Sequence, residues 1–400
     1  NFIEYEYDKN GNKTSEIARS VAGEVLREIS YAYYSDSRNL LREVRVDNGY
    51  PKRFEYDVLG RKTAEVDQEG NRTEYTYDNV GNIVAVNTPA GITENFYDKG
   101  GRLVRTVNPL HQETEYAYDA NGNATWTRDP QDRETSFYYD ALNRKIGVTD
   151  AAGATTTFDH NIFGNRIAVI DANGGSTRYA YDANSRKTEE IRPKGAGTTE
   201  ETKTVYQYDN VGNLHSVTDP ENRRAEYTYN ALGKPEQVTY SQGSMEKSVD
   251  YNYDLNGNLL GYNDGSTSAA YTYDGLNRKI GATVDFGPFS KDYSYAYPNA
   301  LQTRFTGPDG TEISYNYDQA GRPQSVLIPG QGQISYAAYN WNRPGKVYLP
   351  NNVNIEHSYD ALMRHTTIAA YRGQYTLNSI IMYRHYSYYE AGDIEKNHQT

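Results

Sequence analysis

"YTYDNVGN", residues 75–82, decides the fold because the chain rewrites it: "EYAYDANGN" at 115–123, "VYQYDNVGN" at 205–213 and "YNYDLNGN" at 251–258. Aligned on the second aromatic, the phrase runs from Tyr7 through Tyr77, Tyr118, Tyr208 and Tyr317 to Tyr388, about 18 units mostly 20 to 24 residues apart, with 21 the commonest spacing. His160 stands in register where a tyrosine is expected, with Phe158 and Gly164 keeping the flanking places. Self-similarity at such a period means an array of one supersecondary unit. Residues 1–400 therefore read as a single array, degenerate at both ends. The longer intervals after Tyr7, Tyr181 and Tyr359 read as inserted loops, "RPKGAGTTEETK" at 192–203 being the clearest.

Each unit reads as a β-hairpin. In Tyr-x-Tyr the rings at i and i+2 share one face of an extended strand, and the residue between is polar or small, as with Glu55, Thr76 and Gln207. Asp-x-x-Gly matches a type I turn, the carboxylate accepting backbone N–H groups two residues on and glycine supplying the left-handed exit of a G1 bulge. The turn residues so assigned are Asp8 and Gly11, Asp57 and Gly60, Asp78 and Gly81, Asp98 and Gly101, Asp119 and Gly122, Asp209 and Gly212, Asp254 and Gly257, and Asp318 and Gly321. Asn143 and Asn277 replace glycine tolerably. Ser37, Ser185, Leu301, Arg343 and Met363 fit the left-handed position poorly, so those turns are expected to differ or carry strain.

After the turn come Arg or Asn and a short apolar strand such as "NIVAVN", then a second turn such as "NPLHQ" or "DPQDR". With no sustained 3.6-residue periodicity, helix is expected to be almost absent. A lone hairpin is marginal, so the units must pair edge to edge. The expected fold is all-β: tandem antiparallel hairpins in one long sheet, laddered by tyrosines across strands and curled by strand twist.

Composition supports order. Mean hydropathy is −0.88, yet 41 tyrosines in 400 residues supply large apolar surfaces with polar tips. A net charge of −12 with interspersed Lys and Arg gives nucleic acid no basic footprint. No apolar run is long enough to span a membrane, and zero cysteines exclude disulfides and thiolate metal sites. No signal peptide precedes the repeats, but the chain opens in mid-pattern and reads as part of something longer.

"YDVLGRK", "YDNVGNI", "YDKGGRL" and "YDQAGRP", with "DP" or "NP" turns between, resemble YD (Rhs) repeats over residues 5 to 392. Relatives of that kind include bacterial Rhs toxins, Tc toxin components, wall-associated proteins and teneurins. The resemblance implies a strip spiralling into part or all of a hollow β-shell, which in toxin members encloses a C-terminal toxic domain. It implies as partners that toxin domain, the rest of the shell, and secretion-system or toxin-complex components, in a secreted or cell-surface setting. The self-cleavage core that follows the repeats in toxin members has no match after Tyr359; "YSYYEAGDIEK" is one more degenerate repeat. No separate toxin or delivery domain is read.

Sharper chemistry is weaker. "DANGN" (119–123) and "DANGG" (171–175) lack the later ligands of a Ca²⁺ loop. Carboxylates recur once per unit, as a structural device would, so no catalytic residue, metal or cofactor site is assigned. The seven histidines show no metal-ligand spacing. Trp126 and Trp341 are candidates for stacking on sugars, the basis of an alternative reading as a carbohydrate-binding adhesion module. The leading expectation is a non-catalytic shell wall.

Overall fold

The computed structural model describes residues 2–20, 22–36, 38–195, 200–298, 301–389 and 394–399. The expectation for Ser37 and the centre of the 192–203 insertion lie outside those residues. The described residues are all-β: 36 strands in one sheet, with only two single-turn 3₁₀ segments among them, Pro350–Asn352 and Leu377–Ser379. Every pairing with a described register is antiparallel and joins consecutive strands, as Lys62–Val66 with Arg72–Tyr77 and that strand with Ile83–Thr88. The chain is thus a meander in which first turns line one edge and second turns the other.

In the first turn of the 75–82 unit, the Gly81 N–H donates to the Asp78 carbonyl (3.3 Å) and the Asp78 N–H to the Asn82 carbonyl (3.0 Å), with Gly81 at φ +102°. The second turn repeats this device. Around Asp67 the Gly70 N–H donates to the Asp67 carbonyl (3.1 Å) and the Asp67 N–H to the Asn71 carbonyl (3.0 Å). Asp129, Asp150, Asp171 and Asp219 close further second turns the same way, whereas Thr88–Gly91 and Gln242–Met245 close around two-residue tips. Ser185 and Met363 adopt the same left-handed φ, +61° each, and keep the ordinary turn. At Arg343 the turn does change: Asn340 pairs with Arg343 around a two-residue tip carrying Trp341 at φ +56°.

A second irregularity recurs. Tyr77 faces Ile83, but Thr76 faces Ala85, so one residue is skipped just after the turn. The same slip follows Tyr56, Tyr118, Tyr139, Tyr208 and Tyr317. A bulge bends its strand and raises the local twist, so the units that carry this slip each bend locally, whereas Ser294–Ala296 pairs with Arg304–Thr306 without one. The described flanks of the insertion after Tyr181 lengthen their strands: Lys187–Pro193 and Glu201–Tyr208 pair as far as Pro193 with Glu201.

Burial follows from a sheet whose strands contact mainly their sequence neighbours. Most large rings stay partly exposed, Tyr371 (6%) being buried, and many of the buried side chains are small, among them Ala64 (0% exposed), Ser216 (1%) and Ala168 (8%). Each lies opposite the middle residue of Tyr-x-Tyr or its equivalent, Glu55, Gln207 or Asp159. Longer polar side chains cover it, and the Ser216 hydroxyl donates to Gln207 at 3.0 Å.

The chain divides into two compact units, one of residues 1–114, 273–282 and 292–400, the other of residues 115–272 and 283–291. Within the first, the strip comes back against itself. The Tyr50 N–H donates to the Gln319 carbonyl (3.3 Å), and Arg322 Nε lies 3.9 Å from Glu69 Oε1. Ala90 and Pro109 share a crevice with Trp341 and Leu362. Second turns of early repeats therefore meet first turns of late ones.

Candidate functional site

The recurring polar feature of the described residues is a clasp that links one hairpin to the next. Asp57 shows its construction. One carboxylate oxygen accepts the N–H groups of Leu59 and Arg61, both at 2.9 Å; the other accepts Arg61 Nε at 2.7 Å. Arg61 then reaches across the strip: Nη1 donates to the Asp78 carbonyl (3.2 Å), and the guanidinium lies 4.6 Å from the Tyr77 ring centroid. The Tyr77 hydroxyl returns the contact by donating to the Lys62 carbonyl at 2.7 Å. Lys62 places its ammonium 4.8 Å from the Tyr75 ring.

The clasp recurs with either residue after the turn. Asn82 Nδ2 donates to Asp78 Oδ2 (2.8 Å), and Asn123 and Asn258 do the same to Asp119 and Asp254, each at 2.8 Å. Tyr97, Tyr208, Tyr229 and Tyr388 each donate to the carbonyl just past the preceding unit's turn, at 2.7–2.9 Å. Burial tends to raise the turn carboxyls, but the bonds they accept hold them below the ordinary aspartate value. At Asp119 the Asn123 amide is the largest cause; at Asp140 it is the Arg144 side chain.

The expected tyrosine-on-tyrosine ladder needs correction. Tyrosine-bearing strands alternate with the strands that follow the turns, so equivalent tyrosines of successive units lie two strands, about 10 Å, apart. Cations fill the gap. Arg186 lies 4.7 Å from Tyr208, Arg278 4.6 Å from Tyr297 and Arg364 4.3 Å from Tyr388. Each such contact contributes about 0.5–1 kcal/mol at an exposed site. In the sequence this role is signalled only by the fixed place of Arg or Asn after the turn, four residues from the Asp it binds.

The assigned turn residues all lie at first turns on one edge of the strip. Asp8, Asp98, Asp209 and Asp318 each accept the backbone N–H of the residue two places on, at 2.8–3.0 Å. Gly11, Gly60, Gly101, Gly122, Gly212, Gly257 and Gly321 all have positive φ. The two tryptophans are not brought together by any described contact. Trp126 lies half-buried within Ala124–Arg128, with Arg128 5.0 Å from its ring. Trp341 lies in the crevice with Ala90 and Pro109.

Two features have no signature in the repeat. Tyr227, Tyr240, Arg224 and Lys247 line an open groove in the second unit. His357 and His365 come together, ring centroids 5.2 Å apart, and burial pushes both below the ordinary imidazole value. Among the described residues no group of three or more His, Cys, Asp and Glu could hold a metal ion, and no helix is long and apolar enough to cross a membrane.

The RHS Repeat family matches residues 56–93, 97–128, 118–155, 139–176 and 160–196, and the Teneurin YD-shell family matches residues 205–368. A search of curated proteins finds no match. Among solved structures, one described as TcdB2-TccC3-TEV is 14% identical with a TM-score of 0.52, covering 100% of this chain and 24% of that one. Another, TcdB2-TccC3 without its hypervariable C-terminal region, is 13% identical with a TM-score of 0.50, covering 98% and 30%. The chain thus spans less than a third of the length of those structures, and at such identity the likeness is one of fold. With the clasped hairpin repeated through both matched regions, the chain belongs to the YD-repeat (RHS-repeat) family.

Proposed function

We propose that residues 1–400 form one uninterrupted YD-repeat array serving as a non-catalytic wall segment of a shell that encloses a C-terminal toxin or effector. The parent would be a secreted toxin of the Tc or Rhs type. Its partners would be the enclosed domain, the rest of the shell and toxin-complex or secretion components. The observation that carries this reading is the fold correspondence with TcdB2-TccC3 over the whole chain. The turn carboxylates add support, since they are engaged by backbone and Arg or Asn donors in hairpin closure, as a wall requires and a hydrolase does not.

Electron microscopy of the full-length parent tests the proposal. Density for a second domain inside a cavity walled by these repeats is the expected result, together with protease resistance of that domain until the wall is opened. An empty wall would overturn it. Saturable glycan binding lost on Trp126→Ala or Trp341→Ala would transfer the function to adhesion.

A further inference from the structure

Inside the first compact unit, the seam where early repeats meet late ones buries a carboxyl that the same kind of turn leaves bare elsewhere. Glu69 and Glu221 occupy equivalent places in second turns, each giving its N–H to the turn aspartate, Asp67 at 2.9 Å and Asp219 at 3.0 Å. The Glu221 side chain is 61% exposed and pairs with Arg223, whereas the Glu69 side chain is only 14% exposed. Glu69 shares a crevice with Tyr50, Tyr317, Asp318 and Arg322. The late-repeat turn that faces it is tied to the early repeats by the Tyr50 N–H, which donates to the Gln319 carbonyl at 3.3 Å.

That setting suits a charge poorly. Arg322, the cation that faces Glu69, is already committed to its own clasp. Its Nε donates to Asp318 at 2.7 Å and its guanidinium lies 4.5 Å from the Tyr339 ring, which leaves Glu69 Oε1 3.9 Å from Nε. Asn71 Nδ2 donates to Glu69 Oε2 at 3.0 Å. Two like charges stand close by, Asp67 on the same turn and Asp318 across the seam. Burial first, and then these two carboxylates, hold the Glu69 carboxyl above the ordinary glutamate value of 4.5, against the opposing pull of Arg322 and Asn71.

We propose that Glu69 makes this seam a proton-controlled latch: a proton taken up in mild acid draws the early and late turns together, and its loss at neutral pH loosens them. Ionised, Glu69 faces Asp318 across the seam, and parting the turns relieves it by readmitting water and adding distance. Protonation removes the repulsion and the burial cost together. A carboxyl raised in the closed seam favours that seam below its raised value and gives the advantage up as pH rises through it. The response is opposite in sign to that of the clasp aspartates, whose depressed values make stronger acid unfold the hairpins, so it belongs to the window between neutrality and unfolding. This inference does not depend on what the wall encloses, so its failure would leave the encapsulation reading untouched.

Hydrogen exchange at the Tyr50 amide, which makes the seam bond, tests the latch on the whole chain, with residues 224–229 of the second unit as the reference for global opening. After correction for intrinsic rates, Tyr50 protection should rise at least about twofold as pH falls from about 7.5 to about 5. Glu69→Gln places at this turn the neutral side chain that the Asp129 turn already carries in Gln131, and should keep Tyr50 protected at both pH values. Asp67→Asn, a replacement that the Asn108 turn shows to be workable, removes one like charge and should move the rise to lower pH. Tyr50 protection that stays flat or falls with acid in the unaltered chain would overturn the proposal. So would a rise shared equally by 224–229, which would make the effect global. Faster Tyr50 exchange in Glu69→Gln at neutral pH would also overturn it, by making the ion pair with Arg322 the contact that holds the seam.

Discussion

The Tyr77 hydroxyl donates a 2.7 Å hydrogen bond to the carbonyl of Lys62, fifteen residues earlier, tying each hairpin to the one before it. A repeat protein's stability is roughly the sum of its units and their nearest-neighbour contacts, so this bond belongs to the coupling between units. Tyr77→Phe keeps the ring over Arg61 and removes only the bond, and should cost about 1 kcal/mol. Urea unfolding measures the loss, and hydrogen exchange should localise it to 62–88. An unchanged midpoint would assign the hydroxyl no role.

Two glycines separate backbone strain from crowding. Gly81 has φ +102° with nothing within 4 Å of where a Cβ would stand, whereas a Cβ on Gly91, at φ +120°, would lie 2.7 Å from the Pro109 Cβ. Gly81→Ala should cost about 1–2 kcal/mol from the left-handed backbone alone, and Gly91→Ala clearly more because two turns are forced apart. Thermal unfolding of the two variants side by side gives the order; equal losses would remove Pro109 from the argument.

Ala64, fully buried, tests the small-residue rule. Ala64→Leu should destabilise by about 1–3 kcal/mol through overpacking, although leucine is the more hydrophobic residue and suits many sheets. A stabilised variant in a denaturant titration would show that the site has room.

Acid should unfold the array steeply. The carboxyls of Asp57, Asp78, Asp98, Asp119 and Asp140 are depressed below 3.8. A depressed carboxyl contributes stability above its unfolded pKa and loses it as pH falls through the folded one. Denaturation midpoints should therefore hold near neutrality and fall together below about pH 4. Asn161 closes the same turn without a charge, accepting the Phe163 and Asn165 N–H groups at 3.0 Å each. Asp78→Asn combined with Asp119→Asn should keep the fold and flatten the acid limb.

The histidine pair sets a milder threshold at the other end of the chain. Burial is the main cause holding both imidazoles below 6.5, with His365 adding to it at His357 and Arg343 at His365. The neutral rings contribute stability above their unfolded pKa, and it is lost as pH falls through the lower folded values. Hydrogen-exchange protection in 353–372 should drop between neutral pH and about pH 5, and His357→Phe should blunt the drop. Exchange indifferent to pH, after correction for intrinsic rates, would remove the pair as a sensor.

Local chemistry makes much of this protein legible in the sequence alone. Tyr-x-Tyr fixes which face the rings take, Asp and Gly three residues apart fix the turn, and repetition fixes a meander of consecutive antiparallel strands. These are short-range consequences of side-chain alternation and backbone sterics, and a linear sequence displays them. Other features depend on residues a strand or more away. Arg61 and Tyr77 are partners because the strand that follows each turn lies between successive tyrosine-bearing strands and brings the guanidinium to the ring. Ala64 has to be small because Glu55 on the neighbouring strand lies over it. The meeting of Tyr50 with Gln319 is the farthest from the sequence. It joins residues 269 positions apart, and which distant turns meet is decided only when the strip is built.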